Sequence, residues 1–117
     1  MSECIFCKIA AGTIPATLLY EGPLVVAFPD LHPKAPVHLL IIPREHLPTW
    51  NAVPANATAL LSEMTLAIHQ VTQRAGIDQS GYRLIVNTHA DAGQEIFHVH
   101  WHVLGGAPLG PMLSTRS

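Results

Sequence analysis

The chain has 117 residues, of which 49% are hydrophobic and 12% are charged, and its formal net charge is −2. This composition excludes global disorder, and the slight negative charge argues against broad electrostatic binding to nucleic acid. The length fits one core, so we expect a single domain over residues 1–117. No run reaches the roughly 20 apolar residues of a membrane span. The first residues do not resemble a secretion signal, so we expect a cytoplasmic protein with reduced thiols.

The first predicted element is a short helix over residues 4–12, which Gly12 ends. It contains the two cysteines, Cys4 and Cys7, whose spacing allows both thiols to reach one centre. Three interpretations stay open here: a metal-binding pair, two small buried side chains, or a redox pair. A redox pair normally follows a strand of a βαβ unit, and the sequence predicts no such unit.

Three strands are predicted next. Residues 18–21 and 24–28 flank Gly22-Pro23 and predict a hairpin, and residues 37–42 predict a third strand that ends at Pro43. The loop at 29–36 contains three prolines, which can hold Asp30 in one place. His38 is the only polar residue of the third strand. It is either a core histidine with a hydrogen-bond partner or a functional residue.

One long helix is predicted from about Pro54 to Ala75, because apolar residues recur there at steps of three and four. These residues are Leu60, Leu61, Met64, Ala67, Ile68 and Val71. His69 lies off this stripe and receives no role. A fourth strand at 82–87 and a polar loop at 88–95 follow. The tail from about residue 107 contains proline and glycine and is expected to be mobile.

The most informative stretch runs from Phe97 to Gly106 and contains three of the eight histidines. His98, His100 and His102 alternate with apolar residues, which predicts a strand with the three imidazoles on one face. A cluster of titratable groups is costly, so the arrangement indicates a function. A metal site and imidazole chemistry on an anionic substrate both fit. Five strands with one long helix predict an α+β fold with an antiparallel sheet.

The segment His98-Val99-His100-Trp101-His102-Val103-Leu104 matches the pattern His-φ-His-φ-His-φ-φ, with φ apolar, and so the chain resembles the histidine-triad (HIT) superfamily. Residues 4–9 look like the opening of that family, residues 35–43 resemble its central strand, and Gly93-Gln94 matches before the triad. Gly105-Gly106 is similar to the Hint branch, the histidine-triad nucleotide-binding proteins. The resemblance implies a HIT-like fold, hydrolysis of purine nucleoside 5′-monophosphoramidates, and a homodimer in which two sheets join.

The resemblance also implies roles for individual residues. His100 would be the nucleophile that forms a nucleotidyl-histidine, and His102 would contact the phosphate and the leaving group. His38 would support them from a buried position. Asp30 would accept hydrogen bonds from the ribose hydroxyls, and Leu31 would line the base pocket. Around the phosphate, donors would come from Asn87, Gly93 and Gln94.

Zinc in some bacterial relatives is bound at the positions of Cys4, Cys7, His46 and His98. Two thiolates and two imidazoles make a closed tetrahedral site, which is structural because no position stays open for water. No organic cofactor is implied.

The chain departs from the Hint pattern at two places. Glu95 stands where many Hint proteins have serine, so it either turns away from the phosphate or acts as a protonated acid. The tail lacks a tryptophan that some Hint proteins carry near the end. Because that tryptophan is linked to substrate selection, the resemblance does not define the preferred leaving amine. Two enzymatic alternatives also stay open, a dinucleoside polyphosphate hydrolase and a nucleotidyl transferase. A nucleotide-binding interaction protein with negligible turnover is the third alternative.

Overall fold

The computed structural model describes residues 4–113. The start of the chain, residues 1–3, and the end of the tail that we expect to be mobile, residues 114–117, lie outside the described residues. Helix α1 is Ile5–Ala10, and strands β1, β2 and β3 are Tyr20–Glu21, Val25–Pro29 and Val37–Pro43. Helix α2 is Thr58–Arg74, strand β4 is Tyr82–Val86, helix α3 is His89–Ala92, and strand β5 is Trp101–Gly105.

Within residues 4–113 the five strands form one antiparallel sheet in the order β1-β2-β3-β5-β4. The predicted α+β class with one long helix and a short N-terminal helix is confirmed. No helix among the described residues is long and apolar enough to cross a membrane.

Apolar side chains cover both faces of the central strands, which explains why β2 and β3 are continuous apolar runs in the sequence. On one face α2 packs through Met64, Ala67, Ile68 and Val71 on Val25, Ala27, Leu39, Ile41 and Val103. On the other face α1 packs through Phe6, Ile9 and Ala10 on Val26, Phe28, Leu40 and Ile42. Each fully buried Val, Leu, Ile, Met or Phe side chain contributes about 1.5–3 kcal/mol of hydrophobic stabilisation. The α1 face is the one that carries the site.

The structure differs from the prediction at two element boundaries and in one loop. The long helix begins at Thr58, because residues 54–57 form a separate turn in which the Ala57 N–H donates to the Pro54 carbonyl at 3.1 Å. The histidine strand begins at Trp101, not at Phe97. The predicted polar loop at 88–95 contains the single helical turn α3, which ends at Gly93 with a φ of 81°.

Candidate active site

An open cleft of about 820 Å³ lies on the α1 face of the sheet. All the residues that the sequence assigns to catalysis or nucleotide binding line it: Asp30, Leu31, His38, Asn87, Gly93, Gln94, Glu95, His100 and His102. One wall is apolar and comes from α1 and the segment after it, with Ile5, Phe6, Ile9 and Ile14, and from Phe28 of β2. The cleft therefore combines an apolar wall with a cluster of histidines.

The three histidines of the triad share the α1 face although only His102 lies in a regular strand. His102 is opposite Leu40 of β3 and Ile85 of β4. His98 and His100 precede the strand, yet both rings pack on the Phe6 ring in T-shaped arrangements, with ring centroids at 5.9 and 5.1 Å. Trp101 and Val103 point to the α2 face, as alternation requires. The three histidines thus lie on one face as predicted. His102 is held there by strand β5, whereas His98 and His100 are held by their packing on helix α1.

His38 and His102 are joined by a direct hydrogen bond between their rings. Nε2 of His38 lies 2.9 Å from Nδ1 of His102, and Nδ1 of His38 accepts from the Lys34 backbone N–H at 3.0 Å. A neutral His38 therefore carries its proton on Nε2 and donates a hydrogen bond to Nδ1 of His102. It follows that neutral His102 carries its proton on Nε2, as a donor. Asp30 is also close, with Oδ2 at 3.4 Å from Nε2 of His38.

His100 has the opposite tautomer. Its Nδ1 lies 2.8 Å from the His98 carbonyl oxygen, and since that oxygen can only accept, Nδ1 carries the proton. Nε2 of a neutral His100 then keeps a free lone pair. The site therefore holds one imidazole as a potential nucleophile and, at a ring-centroid distance of 4.9 Å, a second imidazole as a donor.

Burial favours the neutral forms of His38 and His102. It lowers the pKa of His102 to about 4, and the neighbouring His100 and His38 add to the effect. Burial likewise lowers the pKa of His38, which outweighs the opposite influence of Asp30. Loss of solvation disfavours the charged form of each ring. At neutral pH the neutral tautomers of His38 and His102 described above are therefore the relevant species.

A second cluster lies beside the cleft and consists of Cys4, Cys7, His46 and His98, whose ligand atoms all lie within 4.8 Å of one another. The sulfur of Cys4 is 3.3 Å from Nδ1 of His98, and the sulfur of Cys7 is 3.2 Å from Nδ1 of His46 and 3.5 Å from Nδ1 of His98. Sulfur and nitrogen ligands of one tetrahedral zinc ion are about 3.5 Å apart, given Zn–S and Zn–N bonds of about 2.3 and 2.0 Å.

The second ring nitrogen of His98, which faces away from the thiols, also has a partner typical of a metal-binding histidine. This nitrogen, Nε2, lies 2.8 Å from the Pro43 carbonyl oxygen, so the proton is on Nε2 and Nδ1 faces the thiols with a free lone pair. His98 is fully buried. The donor set and the spacing both fit a metal ion, and the cluster brings together the four residues that the sequence predicts.

The chain matches the HIT domain family from residue 11 to residue 109. The chain belongs to the HIT family. It is 46% identical over 114 residues to the purine nucleoside phosphoramidase of Escherichia coli, covering 97% of this chain and 96% of that protein.

Solved structures agree with this assignment. A histidine triad protein from Clostridium difficile superposes with a TM-score of 0.90 at 40% identity, covering 97% of this chain and 98% of that one. A HIT family hydrolase from Clostridium thermocellum gives a TM-score of 0.91 at 40% identity, covering 97% and 99%.

Two groups of this HIT site, the Phe6 ring and the Lys34 backbone N–H, could not be predicted from the sequence. Phe6 was not identified, although it supports two histidines and lines the cleft, because a lone apolar residue in a short helix gives no such signal. The Lys34 backbone N–H fixes the His38 tautomer, and main-chain donors cannot be identified from residue type. Glu95 is exposed and lines the cleft.

The lowered pKa values of His102 and His38 predict that the HIT fold loses stability in acid. An unfolded chain binds protons at these rings from about pH 6.5 downward, whereas folded His102 does so only near pH 4. Because the unfolded state binds more protons in this window, the free energy of unfolding should fall as the pH decreases through it. Urea unfolding across the window measures this slope. In His102→Gln the free energy of unfolding should change less steeply with pH than in the wild type. An equal slope would show that His102 does not contribute to the pH dependence.

Proposed function

We propose that this protein hydrolyses purine nucleoside 5′-monophosphoramidates through a nucleotide bound covalently to His100. The observation that carries the proposal is the hydrogen bond from Nδ1 of His100 to the His98 carbonyl, which leaves the lone pair on Nε2. A neutral imidazole fixed in this tautomer is a competent nucleophile toward phosphorus. The similarity to the E. coli purine nucleoside phosphoramidase supports the substrate class.

The reaction would take place in two displacements. In the first, Nε2 of His100 forms a bond to phosphorus, the P–N bond of the substrate breaks, and the departing nitrogen takes a proton from the histidine network and leaves as a neutral amine. Protonation is needed because an amide anion is a very poor leaving group. Nε2–H of His102 is the donor, His38 holds the ring in the donating tautomer, and a proton taken up from solvent keeps both rings from becoming anionic. In the second displacement, water attacks phosphorus, the bond from phosphorus to Nε2 of His100 breaks, one proton of the water passes back through the network to solvent, and the 5′-monophosphate is released.

The cleft offers a matching place for each part of the nucleotide. The apolar wall of Ile5, Phe6, Ile14 and Phe28, with Leu31 at the exposed rim, suits a flat base. Asp30 accepts from the His32 N–H at 2.8 Å through Oδ1, and a carboxylate has further lone pairs for ribose hydroxyls. Asn87, Gly93 and Glu95 also line the cleft, and Asn87 and Gly93 would supply donors to the phosphate.

A kinetic screen tests the proposal. Adenosine and guanosine 5′-phosphoramidates of simple amines are compared with dinucleoside polyphosphates, and products are identified with and without a second nucleotide as acceptor. We expect a higher kcat/KM for the amides, with the 5′-monophosphate and free amine as products. A higher kcat/KM for the dinucleoside polyphosphates would indicate a polyphosphate hydrolase. Transfer of the nucleotide to the second nucleotide would indicate a transferase. Tight binding without turnover would favour an interaction protein.

For the second cluster we propose a structural zinc ion held by Cys4, Cys7, His46 and His98. The fit of sulfur and nitrogen distances to a tetrahedral ion supports it, as does the bond from His98 to Pro43. With four protein ligands no coordination position would be left for a water nucleophile, so the ion would serve stability. Both cysteines are free thiols, which the reducing cytoplasm would preserve.

We further propose a homodimer formed through the edge strand β4. Its outer edge has no partner strand within residues 4–113, and Tyr82, Leu84 and Val86 expose 39%, 44% and 36% of their surfaces along one face. Helix α2 packs on β1, β2 and β3 and exposes Leu66. An unpaired edge with an apolar row favours pairing with a second strand. Two copies joined at β4 would form one continuous antiparallel sheet.

We expect Leu84→Lys to convert the dimer into a monomer, because a charge in the apolar row would be desolvated when the two strands pair. Sedimentation velocity at micromolar concentration measures the change. Leu24→Lys is the matched control, since Leu24 is similarly exposed but precedes β2 at the other side of the sheet. A wild-type protein that is monomeric at this concentration would contradict the dimer.

A further inference from the structure

The side chain of Gln94 lies at the cleft but is bonded entirely within the protein. Its Nε2 donates to the Pro48 carbonyl at 2.8 Å and to the Ile96 carbonyl at 3.0 Å, and its Oε1 accepts from the His89 N–H at 2.9 Å. The Gln94 backbone N–H donates to the His89 carbonyl at 3.1 Å. All three N–H groups of this residue are therefore used, and only 8% of its surface is exposed.

From this we infer that Gln94 is a positioning residue that holds the loop of residues 88–96 and the segment before β5 in their reactive arrangement, and that it is not a phosphate ligand. If the buried Gln94 amide donated a hydrogen bond to phosphate instead, the carbonyl of Pro48 or Ile96 would lose its hydrogen-bond donor. Leaving a buried acceptor unpaired costs about 1–3 kcal/mol. The expectation from sequence that Gln94 supplies a donor to the phosphate is replaced by this role.

The loop needs such a constraint because its backbone is strained. His89 has a φ of 65°, the only positive value at a non-glycine residue among residues 4–113. A left-handed conformation at such a residue costs of order 1 kcal/mol or more and persists only where its surroundings enforce it. Oε1 of Gln94 binds the N–H of this residue. The bond to Ile96 fixes the other end of the loop, so that Glu95 stands between two anchored residues.

The bond to Pro48 connects the loop to the nucleophile. Leu47, the neighbour of Pro48, accepts a hydrogen bond from the Val99 N–H at 2.7 Å through its carbonyl, and His100 follows Val99 directly. Residues 96–100 are outside the sheet ladder, so these few bonds replace regular strand pairing. Loss of the Gln94 amide should therefore displace the phosphate side of the cleft relative to His100. A misplacement of about 1 Å can cost about 10²-fold in rate.

Kinetics, hydrogen exchange and pH-dependent stability test the inference on two variants. Gln94→Ala removes all side-chain bonds. Gln94→Glu keeps an acceptor for His89 but turns a carboxylate oxygen toward the carbonyls of Pro48 and Ile96. The control is Gln70→Ala, since Gln70 is an exposed amide on α2. The exchange and stability measurements use the protein without nucleotide, so only the kinetic arm rests on the proposed function. A wild type without turnover would refute that function and leave the other two arms decisive.

In Gln94→Ala we expect kcat to fall by about 10²-fold with KM little changed, because an interaction that acts through positioning affects the transition state more than the ground state. The His89 amide should exchange faster with solvent. In the folded Gln94→Glu protein the protonated carboxyl should be favoured, because it can donate a hydrogen bond to one of the two carbonyls. The free energy of unfolding of this variant, relative to the wild type, should therefore rise as the pH falls. Gln70→Ala should match the wild type in all three measurements.

Three results would overturn the inference. One is a raised KM with unchanged kcat in Gln94→Ala, which is the signature of a lost ground-state contact to phosphate. Another is unchanged exchange at His89 in that variant. The third applies even if Gln94→Ala fails to fold: a Gln94→Glu protein whose stability follows that of the wild type at every pH would show that the side chain does not face the two carbonyls.

Discussion

His100→Ala should abolish hydrolysis of an adenosine 5′-phosphoramidate while leaving nucleotide binding nearly intact. The variant loses the only group that forms a bond to phosphorus, and removal of a nucleophile typically costs at least about 10⁴-fold in kcat. Asp30, Leu31 and the loop of residues 88–96 still line the cleft without this side chain, and Phe6 loses one ring contact. Steady-state kinetics measure the loss, and titration calorimetry with the 5′-monophosphate measures the binding that should remain.

Parallel variants of the other two triad histidines should separate their roles. His102→Ala should lose about 10²–10⁴-fold, the usual range for a positioned acid or base. His98→Ala should mainly lower stability and metal content. His69→Ala is the control, because His69 is exposed on α2 and should behave as the wild type. Three histidines on one face should thus give three different phenotypes.

A trapping experiment tests the covalent step itself. Rapid acid-free denaturation of the enzyme mixed with labelled phosphoramidate should leave label attached through a P–N bond that acid cleaves, and mass spectrometry should locate it at His100. Full activity of His100→Ala would refute the mechanism. Label on His102 would preserve the chemistry but reverse the roles of the two rings, in conflict with the tautomers that the bonds to His38 and His98 require.

The sequence predicts most of the fold because the chain's local patterns agree with its tertiary packing. Apolar residues at helical spacing in α2 and apolar runs in β2 and β3 all bury the faces that their periods predict. Alternation also predicts the common face of the triad. It could not predict that β5 begins at Trp101, because His98 and His100 keep the alternation while Phe6 and the loop after β3 replace strand pairing.

The sequence predicts which residues of the site come together, but not how their hydrogens are placed. A pattern of side chains places His38, His100 and His102 in one site, whereas their tautomers depend on main-chain groups, the Lys34 N–H and the His98 carbonyl. Gln94 shows the same limit. Its position before the triad suggests a donor for phosphate, and only the coordinates reveal that its amide is already used by Pro48 and Ile96.

Removal of the metal should unfold or greatly loosen the N-terminal part of the molecule. We expect about one zinc ion per chain after purification without chelators, since the set of two thiolates and two imidazoles is typical of a structural site. The ion would connect α1, which carries Cys7, to the loop after β3 and to the segment before β5 through His46 and His98. Binding energy at such a site is folding energy, worth about 10 kcal/mol or more in small zinc domains.

Metal analysis and thermal melting before and after treatment with a strong chelator measure this effect. Cys7→Ser should reproduce the chelated state, because a hydroxyl is a poor zinc ligand, and added zinc should not restore its melting temperature. Phe6 and Ile5 of α1 line the cleft, so a loosened helix should also weaken nucleotide binding. If chelation removed activity but left the melting temperature unchanged, the ion would be catalytic, and its assignment as a fourfold protein-coordinated structural site would be wrong.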